Sequence, residues 1–257
     1  ELEEIALMVR KHWQLGLEPI RDLQYLLESN GIVVTGFETD TESIDAFSQR
    51  TRICGEQICF IAVDQGRKPE GRIRFDLAHE LAHLLIHPWS DNLDLLSREE
   101  FKTREFEANV FASAFLLPRE SFGKDVQAYP TDLQYYLWLK KKWRSSIQSM
   151  IYRANQLQYI SNSQFQYLMR QVSKNGWRKT EPDDTPFFLG ENIFQGAIQL
   201  LLNEHILTTN ELLNLFSGYG AGLYPGEIED LLHLSKGSLE PEGMATIVSL
   251  RKSNNEA

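Results

Sequence analysis

The sequence predicts an α+β protein: a small N-terminal β-sheet packed on a helical core, followed by a helical C-terminal extension. Three observations lead there. Apolar, β-branched runs short enough for strands occur early, at 32–35, 46–48 and 58–63. From Gly71 onward apolar residues recur at helical spacing in segment after segment. Two prolines and three acids in Glu181-Pro182-Asp183-Asp184-Thr185-Pro186 then interrupt any helix and mark a boundary.

The elements follow in order. Residues 2–14 carry Leu2, Ile5, Ala6, Met8, Val9 and Trp13 at helical spacing. Pro19 opens a second helix, with Ile20, Leu23, Leu26 and Leu27 as its stripe and Asn30-Gly31 as its stop. After the strands, a helix over 71–87 stops at Pro88 and one over about 98–117 stops at Pro118. Further helices are predicted near 131–142, 146–157, 162–174, 191–203, 208–216, 225–233 and 240–250. Residues 1–182 form one domain, with a helix-turn-helix-like part at 131–160. Residues 187–257 form an acidic helical module whose core is read as Leu200, Leu201, Leu202, Ile206, Leu212, Leu213 and Leu215.

Composition removes several function classes. A 42% hydrophobic and 24% charged chain of 257 residues is an ordinary globular protein. The net charge of −10 argues against a nucleic-acid coat and a polybasic membrane binder. Residues 181–257 hold 12 acids and 3 bases, so the acidity belongs to the last third. No apolar run reaches 18 residues, and the two cysteines, Cys54 and Cys59, cannot staple a fold of this size. A reduced, cytoplasmic compartment is the simplest expectation.

The informative segment runs from Arg72 to Pro88 and contains His79-Glu80-x-x-His83. Residues four apart on a helix lie about 40° apart around the axis, so both imidazoles project from one face and can hold one Zn²⁺. Glu80 lies about 100° from His79, which suits a base acting on metal-bound water rather than a ligand. The motif arises by chance in roughly 1% of chains this long, so its surroundings decide. Ile73, Phe75, Leu77, Ala78, Leu81, Ala82, Leu84, Leu85 and Ile86 make the helix apolar on nearly every side. Such a helix is buried, where unpaired imidazoles and a carboxylate would cost several kcal/mol, and a metal removes that cost.

A catalytic zinc needs a third protein ligand. On a continuous helix, His87 falls about 80° from His79 and two turns along, too far to close a tetrahedron. The next helix offers Glu105 and Glu107, which point about 200° apart. Glu105 shares a stripe with Phe101, Ala108, Ala112 and Phe115, whereas Glu107 continues a surface line from Glu100 and Arg104. Glu105 is therefore the third-ligand candidate, weighed against a plain salt bridge to Lys102 or Arg98. Asn109, one turn on, can bond the second nitrogen of a ligand imidazole.

These residues resemble a known family. Phe75-Asp-Leu-Ala-His-Glu-Leu-Ala-His-Leu, then Glu105-x-x-Ala108-Asn109-x-Phe111-Ala112-x-x-Phe115-Leu-Leu-Pro118, is similar to the ImmA/IrrE zinc metallo-endopeptidases. So are Ser149 to Leu157, Gly176-Trp177-Arg178 and Glu181-Pro182, and the resemblance spans about residues 2–182. It implies a zincin-like helical metallopeptidase core that cleaves a repressor-type transcription factor. It implies Zn²⁺, with Mn²⁺ as the alternative ion, held by His79, His83 and Glu105, and Glu80 as catalytic base. Many members carry a helix-turn-helix domain ahead of this region. None is seen here, which fits either truncation before Glu1 or a stand-alone protease. Because residues 149–157 are family-like, Tyr152 and Arg153 are candidate oxyanion donors, with packing as the other reading.

Two further classes compete. Lys140-Lys141-Lys142-Trp143-Arg144 followed by Ser145-Ser146 joins two helices and could contact DNA through 140–156, although the turn lacks the usual Gly. The chain could also be a metal-containing sensor that binds a transcription factor without cutting it. Gly218, Gly220 and Gly222 around Tyr219 have no preceding strand and no following Lys-Ser/Thr, so a phosphate loop fails. His205 and His233 read as surface or packing residues.

Overall fold

The computed structural model describes residues 1–240 except 38–44, 54, 65, 67, 89–95, 188, 191–192, 219–222 and 233. The predicted helix at 240–250, Cys54, His233 and most of the Gly218–Gly222 segment lie outside the described residues. The chain forms two compact units, Glu1–Gly190 and Glu191–Ala257.

The first unit is α+β. Helices α1 (Leu2–His12) and α2 (Leu23–Ser29) precede strands β1 (Ile32–Phe37), β2 (Ala46–Ile53) and β3 (Glu56–Asp64). The second helix starts later than Pro19, because Asp22 caps it by accepting from the Tyr25 N–H. The sheet order is β1-β3-β2, with β1 parallel and β2 antiparallel to β3. Register sets Val34 beside Ile61, so Ile32, Val34, Ile61 and Val63 share the buried face. Gly55, at φ 88°, turns the β2–β3 hairpin and leaves β2 as an edge strand.

Helix α3 (Glu70–Ile86) packs on that sheet and on α4 (Arg98–Leu116). Leu77, Leu81, Phe111, Ala112 and Phe115 are fully buried between them. Ser97 caps α4 by accepting from Glu100, and Glu99 and Glu100 complement the helix dipole in its first turn. Pro118 does more than stop α4: it is the N-cap of α5 (Arg119–Val126), an element that sequence periodicity does not reveal. Helices α6 (Leu133–Trp143), α7 (Ile147–Gln156) and α8 (Asn162–Lys174) complete the core with Trp143, Ile147, Ile151, Leu168 and Val172.

The strap that follows the expected boundary at 182–187 belongs, up to Gly190, to the first unit. Glu70 N–H donates to the Thr185 carbonyl at 3.0 Å, Phe187 N–H to that of Lys68 at 3.2 Å, and Gly190 N–H to Gln24 at 2.9 Å. Glu181 accepts from the Ile147 and Gln148 N–H groups at 2.8 and 3.1 Å, satisfying donors that the α7 terminus leaves free.

The second unit contains α9 (Ile193–Asn203), α10 (Thr209–Gly218) and α11 (Pro225–Leu231). Its core is Ile198, Leu212, Ile228, Leu234 and Leu239. Leu200, Ile206 and Leu215, expected in that core, are exposed.

Candidate metal centre

The single turn between His79 and His83 on α3 brings their Nε2 atoms to 3.0 Å. From α4, Glu105 places Oε2 at 3.3 Å from His79 Nε2 and Oε1 at 3.3 Å from His83 Nε2. Among the described residues this is the metal-capable group, with all donor atoms within 4.8 Å of one another. Zn²⁺ bound tetrahedrally at 2.0–2.1 Å sets its ligands about 3.3 Å apart, so the spacing fits that ion. Hydrogen bonds from His79 and His83 hold the Glu105 carboxyl far below the ordinary range, against the opposing effect of burial. Burial opposes charge on His79 too, yet Glu105, Glu80 and Asn109 outweigh it and raise its pKa. Asn109 Oδ1 lies 3.2 Å from His79 Nδ1, where it can accept a hydrogen bond from the ring N–H and so favour Nε2 as the lone-pair nitrogen. Glu105 pairs with neither Lys102 nor Arg98; its partners are the two histidines.

The group opens into a cleft of about 1270 Å³ walled by α3, α4, α7 and β2. Glu80 lines it and is 8% exposed. One turn earlier, Asp76 also lines the cleft. Its Oδ2 is buried without a hydrogen bond, and burial pushes its pKa up to about 6. Phe47 from β2 and Phe101 and Phe106 from α4 give the cleft exposed apolar surface. Phe101 therefore departs from the expected buried seam, which is buried only from Ala108 onward.

The two oxyanion candidates separate. Tyr152 is 57% exposed and lines the cleft. Arg153 is fully buried and turned elsewhere: it donates to the Leu117 carbonyl at 3.0 Å and to both Glu3 oxygens at 2.5 and 2.8 Å. Its donors hold α1, α4 and α7 together, so the oxyanion role for Arg153 is corrected to a packing one.

Two residues set aside as metal ligands, His87 and Glu107, stand next to the donor group. His87 Nδ1 lies 2.9 Å from His83 Nδ1, and His87 Nε2 lies 3.1 Å from Glu107 Oε2. Glu107 is thus not part of a plain solvated line, although Arg104 and Glu100 do pair on that surface at 2.7 Å. His87 is one turn past His83, so the two rings share a face, and His87 stays outside the three-residue donor group. Restricted by Pro88, it is extended at ψ 139° and ends α3.

The helix pair α6–α7 exists, joined through Arg144 in the left-handed region at φ 50°. Its cations are engaged. Lys140 is buried against Glu181 at 3.0 Å and Asp184 at 2.5 Å; Lys141 pairs with Asp183, Lys142 with Asp125 and Arg144 with Glu70.

Residues 27–155, half of the chain, match the Peptidase_M78 family model, described as the IrrE N-terminal-like domain. The chain belongs to this family. The match spans the sheet, α3 and α4 with the convergent group, and the α6–α7 pair. Membership supports a metallopeptidase-like role for the IrrE-like region. Among solved structures, a Mycobacterium tuberculosis transcriptional regulator is similar at 21% identity and a TM-score of 0.43. That likeness covers 60% of this chain and 46% of the regulator, so the chain spans under half of the regulator's length. No curated protein matches. No helix among the described residues is long and apolar enough to cross a membrane.

Proposed function

We propose that the chain is a zinc-dependent endopeptidase acting on a protein substrate, a repressor-type transcription factor. The observation that carries the activity is the convergence of His79, His83 and Glu105 beside the buried Glu80 in an open cleft. The three side chains are the proposed metal ligands, and the donor set suits Zn²⁺, with Mn²⁺ as the alternative ion. When bound, the ion supplies Lewis acidity toward the scissile carbonyl and toward water.

The chain's own residues do the rest. Glu80 takes the proton of the attacking water and returns it to the leaving amine. Asn109 keeps His79 in the Nε2 lone-pair tautomer. Tyr152 is the proposed donor to the developing oxyanion. The edge strand β2 offers backbone groups to an extended peptide, and Phe47, Phe101 and Phe106 offer contacts to its apolar side chains.

Three ligands among the described residues speak against a closed structural site, which takes four. The engaged cations of residues 140–144 speak against DNA contact there. The repressor substrate rests on the ImmA/IrrE resemblance, and the cytoplasm as compartment on the cysteine content. Residues 1–182 with their 183–190 strap are the proposed catalytic domain; the acidic helical module beyond is proposed to regulate it or to hold a partner.

The test is incubation with the repressor encoded beside the gene, with and without chelator. Discrete fragments in the metal-containing arm alone are expected. A repressor bound but uncut in both arms would overturn the peptidase reading in favour of a non-cleaving sensor.

A further inference from the structure

We infer that Glu107 and His87 form a positioning relay that fixes the tautomer and ring plane of His83. The inference deepens the proposed function and rests on its reading of His83 as a metal ligand.

The two ends of the His83 ring face different partners. Nε2 faces His79 and Glu105, whereas Nδ1 faces His87 Nδ1 at 2.9 Å. A hydrogen bond between two imidazole nitrogens needs one proton and one lone pair, so one ring donates and the other accepts. Glu107 decides which. A carboxylate only accepts, so with Glu107 Oε2 at 3.1 Å, His87 carries its proton on Nε2. In the neutral ring its Nδ1 is then a lone pair, which can only accept from His83 Nδ1–H. His83 is left with its lone pair on Nε2, the atom that points into the donor group. With His87 neutral each link has one allowed sense, and the chain ends with the nitrogen that a metal requires.

The residues are placed to hold this arrangement. His87 is 6% exposed in its side chain, between the end of α3 and the Glu107 turn of α4. It sits at the α3 C-cap one turn past His83, so the two rings lie on the same face with centroids 4.8 Å apart. The two α3 imidazoles are thus oriented differently: His79 by the neutral Asn109, and His83 through His87 by a carboxylate. A carboxylate behind the imidazole also raises its basicity as a ligand.

The experiment measures zinc affinity by competition with a chromophoric chelator for wild type, His83→Ala, Glu107→Ala and Glu107→Gln, together with ¹⁵N NMR of the imidazoles. Glu107 is partly exposed, so its variants are expected to fold, which unchanged melting without metal confirms. Glu107→Ala is expected to weaken zinc binding by about 10–100-fold. Glu107→Gln is expected to lose less, since its amide can still accept but no longer forces one tautomer. In zinc-loaded wild type, the spectra should show His83 protonated at Nδ1 and His87 at Nε2, with the His87 preference lost in Glu107→Ala. Affinity in Glu107→Ala equal to wild type, while His83→Ala loses zinc, would overturn the relay alone. A wild-type protein that takes up no zinc would overturn the ligand reading and the relay with it.

Discussion

His79 and His83 face each other through their Nε2 atoms at 3.0 Å, one turn apart on α3. With both rings protonated on Nδ1, as proposed, that approach sets two lone pairs together, a repulsion that a shared cation relieves. His79→Ala or Glu105→Ala is therefore expected to abolish stoichiometric zinc uptake, as read by metal analysis after dialysis. Zinc at about 100 times its dissociation constant should stabilise the wild type by about 2.7 kcal/mol and leave both variants unmoved. The raised His79 pKa makes protons compete with the ion, so affinity should rise with pH. Zinc-induced stabilisation of Glu105→Ala equal to wild type would contradict the ligand set.

Asp76 gives a separate, pH-dependent expectation. Its carboxyl is raised by burial from 3.8 to about 6 on folding. Below both values the folded and unfolded chains bind its proton equally, and it has no effect on stability. As pH rises through the lower value, the unfolded chain sheds the proton first, so stability falls, and the deficit is complete above about 6. Asp76→Asn should therefore stabilise the protein at pH 8 by at most about 3 kcal/mol, and by much less at pH 4. Denaturant melts at the two pH values measure this; an equal gain at both would contradict it.

Glu181 joins two tasks in one buried carboxylate: it pairs with Lys140 and accepts from the first N–H groups of α7. Removing it leaves an ammonium buried against Asp184 alone and the α7 terminus unsatisfied. Glu181→Ala is expected to cost about 3–5 kcal/mol in denaturant titration. A loss under about 1 kcal/mol, the range of an exposed pair, would show that the network is solvated.

Tyr152 and Arg153 are adjacent in sequence and opposite in surroundings, so their variants should split activity from stability. Tyr152→Phe should keep the melting temperature and lower kcat by about 10²–10³-fold, the usual loss for an oxyanion donor. Arg153→Met should destabilise the fold by stranding Glu3 and the Leu117 carbonyl. The reverse pattern would exchange their roles.

The parts of the site that a helix dictates were legible in the sequence. The 3.6-residue period places His79 and His83 on one face and selects Glu105 over Glu107 to meet them. The same arithmetic keeps His87 out of the donor group, but measured from His83 rather than His79 it also sets the two rings side by side, one turn apart. Glu107 reads as surface because its partner His87 lies on the other helix, where spacing within α4 gives no sign of it. Arg153 was left between an oxyanion and a packing role because a family-like segment carries no information on which face is buried. The basic run at 140–144 reads as a patch only until residues distant in sequence, Asp125, Glu181 and Asp184, are brought beside it. The α+β class survived these errors because it depends on segment periodicity rather than on any one side chain.

In the proposed metal-dependent peptide hydrolysis, Glu80 moves the proton. Substrate cleavage by Glu80→Gln at matched zinc content measures this. One zinc per chain is expected in wild type and variant alike, with cleavage slowed by about 10²–10⁴-fold in the variant. Wild-type cleavage by a zinc-loaded Glu80→Gln protein would contradict it.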